Sequence, residues 1–269
     1  MAADTGDVLH ARLRGGSANT VCGAASFLAE TISRVRGAGA SGQLTLRADS
    51  GFYAHAVVAA CRRAGVRFSI SVRQHAGLRR LIEAIPEEAW TPIPYWIEAG
   101  ADMAETTYTP FADQPDAVPL RLIVRRVKPS PGSQLALFAM YDYHACITDR
   151  AGDLLALEAN HRRHAEIENA IRDLKYGVAL NHLPSGKFAA NAAWLAVQVM
   201  GHNLARRTAR IGLGAGIVTT KRLRRRLFGL VGRLTRSARR VTLHLPARWP
   251  WAISFHAALA RLRAIPLLA

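Results

Sequence analysis

Apolar and polar positions recur along this chain with two periods, and each change of period marks an element. Residues 8–14 (VLHARLR) alternate side by side, the pattern of a strand. Gly15, Gly16 and Ser17 then mark a turn. From Thr20 onward Val21, Ala24, Ala25, Leu28, Ile32 and Val35 fall on one helical face, and Gly37 and Gly39 end the run. Residues 44–48 (LTLRA) read as a short strand running into Asp49-Ser50-Gly51. Residues 55–64 read as a helix with Gly65 as its C-cap. Residues 66–72 (VRFSISV) alternate cleanly and predict another strand. A strand–helix–strand–helix–strand series implies an α/β sheet with crossover helices.

Residues 75–150 break this rhythm with Pro86, Pro92, Pro94, Pro110, Pro115, Pro119, Pro129 and Pro131. Strand-like pieces lie between them at 105–109, 120–127 and 135–141, and 129–133 (PSPGS) reads as a hairpin loop. The segment predicts a β-rich, antiparallel insertion. Residues 158–176 contain neither Pro nor Gly and read as one helix closed by Gly177. Residues 188–210 predict a second long helix, apolar enough to be largely buried. Residues 221–240 are basic, with Leu223, Leu227, Leu230, Val231 and Leu234 at helical spacing. The expected organisation is therefore 1–74, 75–150, 151–210 and 211–269.

Charge changes the picture more than overall composition does. The 269 residues carry a net charge of +17. All 19 acidic residues and 19 of the 36 basic ones lie in 1–173, which is neutral as a whole. The other 17 basic residues lie in 174–269, where no acidic residue occurs. Such asymmetry points to a polyanionic partner, nucleic acid before anionic membrane. No apolar run reaches the roughly 18 residues of a membrane span, and the start has no secretory pattern. Cys22, Cys61 and Cys146 are odd in number and far apart, which argues against a disulfide scaffold and for a reducing, cytoplasmic location.

Two places could carry chemistry. Asp49 ends a strand, the edge at which α/β sheets place ligands; it could equally cap the following turn. Downstream, His161, His164, Glu168, Arg172 and Lys175 recur at spacings of 3, 4, 4 and 3. On one unbroken helix they would share a face, with Ile167, Ile171 and Leu174 beside it to pack on the sheet. That face reads as a solvated set of ion pairs, as a zinc site, or as a carboxylate joining Asp49 at Mg²⁺ with cations on phosphates. His-x-x-His alone is a weak zinc signal.

The run Arg47-Ala48-Asp49-Ser50-Gly51-Phe52 resembles the second acidic motif of bacterial insertion-sequence transposases of the DDE class. The likeness is to DDE domain group 1, whose ribonuclease-H-like core has a β-insertion before the catalytic Glu. That group carries Tyr-(2)-Arg-(3)-Glu-(6)-Lys; here the same spacing holds His161, His164, Glu168 and Lys175. Residues 181–194 (NHLPSG to ANAAW) resemble the helix that follows. The resemblance implies an α/β, ribonuclease-H-like mixed sheet flanked by helices, with a β-rich insertion and a helical basic C-terminal region. It implies two Mg²⁺ (or Mn²⁺) ions held by carboxylates, with Asp49 and Glu168 as catalytic metal ligands and Lys175 on a DNA phosphate. Oxygen ligands suit so hard an ion. His161 and His164 stand where the family has Tyr and Arg, and lack Arg's permanent fork. DNA contacts are expected from these two histidines, Arg172 and Lys175, and from Lys221, Arg222, Arg224, Arg225 and Arg226. The implied partners are terminal inverted repeats and target DNA, with a homodimer in the synaptic complex and no membrane.

The family's first catalytic Asp lies on a strand upstream of the one read at 8–14. Asp4 and Asp7 instead sit in a turn-like ADTGD segment. The expectation is a truncated core lacking its first strands, and a chain that is inactive. The competing reading is a non-catalytic DNA-binding protein using the basic C-terminal helices. A third is a basic RNA- or ribosome-associated protein, which stacking aromatics on a sheet would favour.

Overall fold

Strand β2 (Arg67–Ser71) sets the frame of the fold, because its two sides meet different helices. The computed structural model describes residues 1–94, 100–128, 141–214, 218–246 and 248–266. The chain divides into two compact units, residues 15–164 and residues 1–14 with 165–269.

In the unit 15–164, β1 (Thr45–Ala48) pairs in parallel with β2, as the crossover pattern requires. Strands β3 (Thr91–Pro92), β4 (Ala101–Tyr108), β5 (Leu120–Val127) and β6 (Asp142–Thr148) complete a six-stranded mixed sheet. The order is β1-β2-β6-β5-β4-β3, all antiparallel beyond β2. The strands of the 75–150 segment thus extend the same sheet. Helices α1 (Ala24–Gly37), α2 (His55–Arg63) and α3 (Ala76–Glu83) cover one face. There Val57, Val58, Cys61, Leu78 and Ile82 pack on Phe68, Ile70, Leu122, Val124 and Ile147. On the other face, Leu157 of α4 (Leu154–Arg162) packs on Ile123 and Cys146. Alternation along β2 and β5 serves both faces: neighbouring residues point to opposite sides of the pleat.

Helix α3 and strands β3 and β6 were not expected from sequence. Helix α3 is anchored by Leu78 and Ile82, four apart, with His75 Nδ1 accepting from Leu78 N at 3.2 Å. Strand β6 lies just after the expected 135–141 strand; residues 135–140, and the loop at 129–133, fall outside the described residues. Arg126 is buried on β5, its Nε donating to Asp102 Oδ2 at 2.9 Å and its Nη1 to Glu87 Oε2 at 2.7 Å. Its guanidinium stacks 4.4 Å from the Trp90 ring and 4.6 Å from that of Tyr141. A buried charge persists only when paired in this way.

The single helix read over 158–176 is broken. After α4 comes a 3₁₀ turn, Arg163–Ala165, and then α5 (Glu166–Gly177). The cause is local. Arg47 Nη1 donates to Asn160 O at 2.6 Å, and His164 Nδ1 lies 2.7 Å from His161 O. An unbroken helix would give those two carbonyls to backbone N–H groups one turn on.

In the other unit, α6 (Phe188–Leu213), α7 (Thr220–Leu223) and α8 (Ala252–Arg263) pack around Ala205, Ala209, Leu223 and Leu227. Helix α6 is not largely buried, contrary to its apolar composition. It buries one side, including His202, Ala205 and Ala209, while Val197, Met200 and Leu204 stay exposed, Leu204 at 68%. The strand expected at 8–14 does not form among the described residues. Asn203 of α6 takes the backbone of Val8 instead, accepting from its N at 2.8 Å and donating to its O at 2.9 Å. Nor do residues 221–240 form one helix. Helix α7 runs into a π-helical turn, Arg224–Phe228, closed by Gly229 N on Arg224 O, and a hairpin follows, β7 (Arg233–Ser237) and β8 (Arg240–His244). Gly229 and Gly232 interrupt the helical spacing, and the Thr- and Val-containing stretch beyond them alternates as a strand does. No helix of the described residues is long and apolar enough to cross a membrane.

Candidate metal and nucleic-acid site

Asp49 follows β1 directly and is exposed. Its Oδ1 accepts from Gly51 N at 2.9 Å, so it caps the 3₁₀ turn Ser50–Phe52. Arg73 braces that turn by donating from Nε to Ser50 O at 3.0 Å. The cap occupies one carboxylate oxygen only. Asp49 therefore serves its turn and still presents an oxygen at the carboxyl edge of the parallel pair, the position that α/β sheets use for ligands.

Glu168, Arg172 and Lys175 fall on the exposed side of α5, while Ala170, Asp173, Leu174 and Gly177 are buried. Of the apolar residues expected to pack this helix on the sheet, Leu174 is buried, while Ile167 and Ile171 remain exposed. A 3₁₀ turn interrupts the single helix on which the 3-4-4-3 spacing rests: Glu168, Arg172 and Lys175 lie on α5, His161 on α4 and His164 in the turn itself.

His161 is buried against β2. Ser69 Oγ lies 2.7 Å from its Nδ1 and Ser71 Oγ 3.0 Å from its Nε2. Burial, then the charges of His164, Arg47 and Arg125, push its pKa down to about 3. A neutral imidazole with both nitrogens engaged is a packing residue of the sheet. His164 stacks on it, ring centroids 4.7 Å apart. Glu158, one turn earlier on α4, is also buried and pairs with Arg162 at 3.0 Å and Arg125 at 3.5 Å.

A buried polar group that the sequence did not signal lies in the unit 1–14 with 165–269. Asp173 accepts from Thr220 N at 2.9 Å and from Thr220 Oγ1 at 2.8 Å, and lies 3.3 Å from His202 Nδ1. Burial alone would raise its pKa; the nearby His202 imidazole and the hydrogen bonds from Thr220 outweigh that and hold it below the usual carboxylate range. Gly177 is required here, because a Cβ would stand 2.6 Å from Asp173 Oδ1. Only the i,i+4 period of α5 hinted that Asp173 faces inward. Asp7 is buried too, 3.7 Å from Arg207.

The basic residues expected on DNA divide into two sets. Lys221, Arg222 and Arg225 are exposed. Arg224 Nη1 donates to Gly177 O at 3.1 Å, and Arg226 stacks 4.0 Å above the Trp251 ring. Asn191, in the segment resembling the family's following helix, accepts from Ser185 N and donates to Ser185 O at 2.7 Å, which holds the approach to α6.

A mixed six-stranded sheet flanked by helices, with an acidic residue at the carboxyl end of its parallel pair, is the frame of a ribonuclease-H-like transposase core. The chain belongs to the family described as "Transposase DDE domain group 1", whose family model matches residues 2–267. No curated protein is similar enough to count as a relative. Membership assigns the chain a role in DNA transposition and DNA as its partner.

Proposed function

We propose that this chain is a core for DNA strand cleavage and strand transfer at insertion-sequence ends, inactive by itself, with Asp49 and Glu168 as ligands of divalent metal. The observation that carries it is the family match over 2–267 together with Asp49 exposed at the end of β1. The donor chemistry fits Mg²⁺ or Mn²⁺, since both side chains offer carboxylate oxygens and both are exposed. Among the described residues no three His, Cys, Asp or Glu side chains are grouped to hold a metal ion, so the assignment stops at these two ligands. When bound, the metal would supply activation of the attacking hydroxyl and stabilisation of the leaving oxygen. Asp49 orients one carboxylate oxygen through its cap on Gly51. Arg172 and Lys175, on the same side of α5 as Glu168, would hold phosphate oxygens by charge. Terminal inverted repeats and target DNA are the substrates under this reading, and a homodimer is the assembly expected to bring two ends together.

Titration with Mn²⁺, followed by electron paramagnetic resonance, tests the metal assignment. Asp49→Asn keeps the cap, since Asn caps as well as Asp, and should weaken Mn²⁺ binding; Glu168→Gln should do likewise. If the two residues share an ion, the double variant loses less than the sum of the single losses. Mn²⁺ binding unchanged in both single variants, or strictly additive losses, overturns the shared site.

A DNA-binding protein without chemistry is the second reading, favoured by the exposed Lys221, Arg222 and Arg225. It expects DNA binding that is indifferent to both carboxylate substitutions and to metal.

A further inference from the structure

The β7–β8 hairpin is a ribbon open to solvent on both faces. Nine of its ten strand residues are exposed, Thr235 alone being half-buried. The register pairs Arg233 with His244, Thr235 with Thr242 and Ser237 with Arg240. Directly opposite residues share a face, so one face holds two arginines, a histidine and three hydroxyls. All six can donate hydrogen bonds and none is acidic. Thr235 Oγ1 lies 2.9 Å from His244 Nε2, which ties the two strands together on that face. The opposite face carries Leu234, Val241 and Leu243 with Arg236. Arg239 sits in the two-residue tip beside Ala238, whose φ of +50° is a conformation that only glycine adopts without cost.

We propose that this hairpin is a DNA-reading ribbon, its Arg233–Arg240 face lying in the major groove of duplex DNA. The inference rests on the DNA partnership of the preceding reading and names a surface for it. A two-stranded ribbon alone is marginally stable in water, and a partner that binds only its folded form would stabilise it. Charge selects the occupant: Arg233, Arg236, Arg239 and Arg240 fall within eight residues, and no acidic residue occurs anywhere from 174 to 269. Size agrees. Five residues per strand span about 17 Å at about 3.4 Å each, and a groove about 12 Å wide admits a two-stranded ribbon. Arginine and hydroxyl donors suit both phosphate oxygens and the guanine edge, whose acceptors are unique to that groove. The deep, narrow major groove of double-stranded RNA excludes such a ribbon.

The test uses the full 269-residue chain and a fluorescein-labelled duplex of mixed sequence, with affinity measured over a range of salt concentrations. The double variant Arg233→Gln/Arg240→Gln should lower the log–log salt slope by about 0.9 for each phosphate that is no longer neutralised. Arg236→Gln, on the opposite face, should leave it unchanged. Arg233→Lys/Arg240→Lys keeps the charges and should restore the slope, which separates a missing cation from misfolding. Methylation of guanine N7 in the duplex should interfere with binding by the wild-type chain. An unchanged slope in the Gln pair, an equal drop in Arg236→Gln, equal competition by double-stranded RNA, or indifference to N7 methylation overturns the ribbon while leaving DNA as partner. Failure of the wild-type chain to bind any duplex overturns both readings together.

Discussion

Ser69 Oγ and His161 Nδ1 stand 2.7 Å apart, and with Ser71 on the second ring nitrogen they fix His161 to the middle of the sheet. The two serines are the polar half of the alternation along β2. They face α4 rather than water, so the alternating pattern of residues 66–72 records two buried faces of different polarity.

This pairing has a pH signature. The folded-state pKa of His161 is lowered to about 3, against about 6.5 in an unfolded chain. The unfolded state therefore takes up the proton first as pH falls. The stability His161 contributes is fully present above about pH 6.5 and is lost below it, at up to about 1.4 kcal/mol per pH unit, down toward its folded pKa. His161→Gln should be less stable at pH 7 yet lose less between pH 7 and pH 5. Urea unfolding at both pH values measures it; an identical pH drop in the two proteins contradicts the assignment.

Arg126 lies between Asp102, Glu87, Trp90 and Tyr141. Arg126→Met should cost up to about 3 kcal/mol, because it leaves the buried Asp102 carboxylate with Lys128, 3.8 Å away, as its remaining cation. Adding Asp102→Leu should recover part of that loss, since replacing both partners removes the unpaired charge. Denaturant midpoints of the three proteins decide it, and a double variant no better than the single one would falsify the argument.

Thr220→Val removes the hydroxyl that donates to Asp173 while keeping the side chain's shape. A hydrogen bond to a charged group is worth about 1.5–3 kcal/mol, and that loss is expected at pH 7. The depressed pKa of Asp173 means its share of stability is present above about pH 3.9, its unfolded value, and disappears as pH falls further. The wild-type advantage over Thr220→Val should therefore shrink at the acid end. Tryptophan fluorescence reports it, through Trp194, Trp249 and Trp251 of the same unit.

Lys221, Arg222 and Arg225 should act on DNA, and Arg226 on the fold. Replacing the first three with Gln should lower the salt slope of DNA binding by about 0.9 for each phosphate they neutralise. Arg226→Gln gives up the stack on Trp251 and should lower the denaturation midpoint while leaving the salt slope unchanged. Equal effects of all four substitutions on the slope would show that the structural division between them is without consequence.

A polypeptide of these 269 residues should not cut DNA with Mg²⁺ or Mn²⁺ at measurable rates. Asp49 and Glu168 supply two carboxylates, where a two-metal site of this chemistry uses three. Removing one stabilising donor typically costs about 10²–10³-fold in rate, and removing a metal costs more. Incubation with a duplex carrying the element's ends checks this. Cleavage that disappears in Asp49→Ala would show that the chain supplies the missing ligand itself, with Asp4 and Asp7 the first to substitute.

Local periodicity alone determined α1, β1, α2 and β2, because each buries one regular stripe, and a stripe is visible without neighbours. It also placed Asp49 at a strand end and Glu168 with Arg172 and Lys175 on one helix side. Charge counting placed the whole excess after residue 173. What it could not decide was set by partners distant in sequence. The helix read over 158–176 breaks because Arg47, more than a hundred residues upstream, takes a carbonyl that the helix would have used. His161 turns from an expected phosphate ligand into a packed neutral residue because Ser69 and Ser71 meet it across the sheet. Residues 8–14 alternate like a strand, yet Asn203 takes the backbone of Val8. In each case a side chain competes for a backbone or ring group that periodicity treats as already spent, and only the tertiary structure says which competitor is near enough to win.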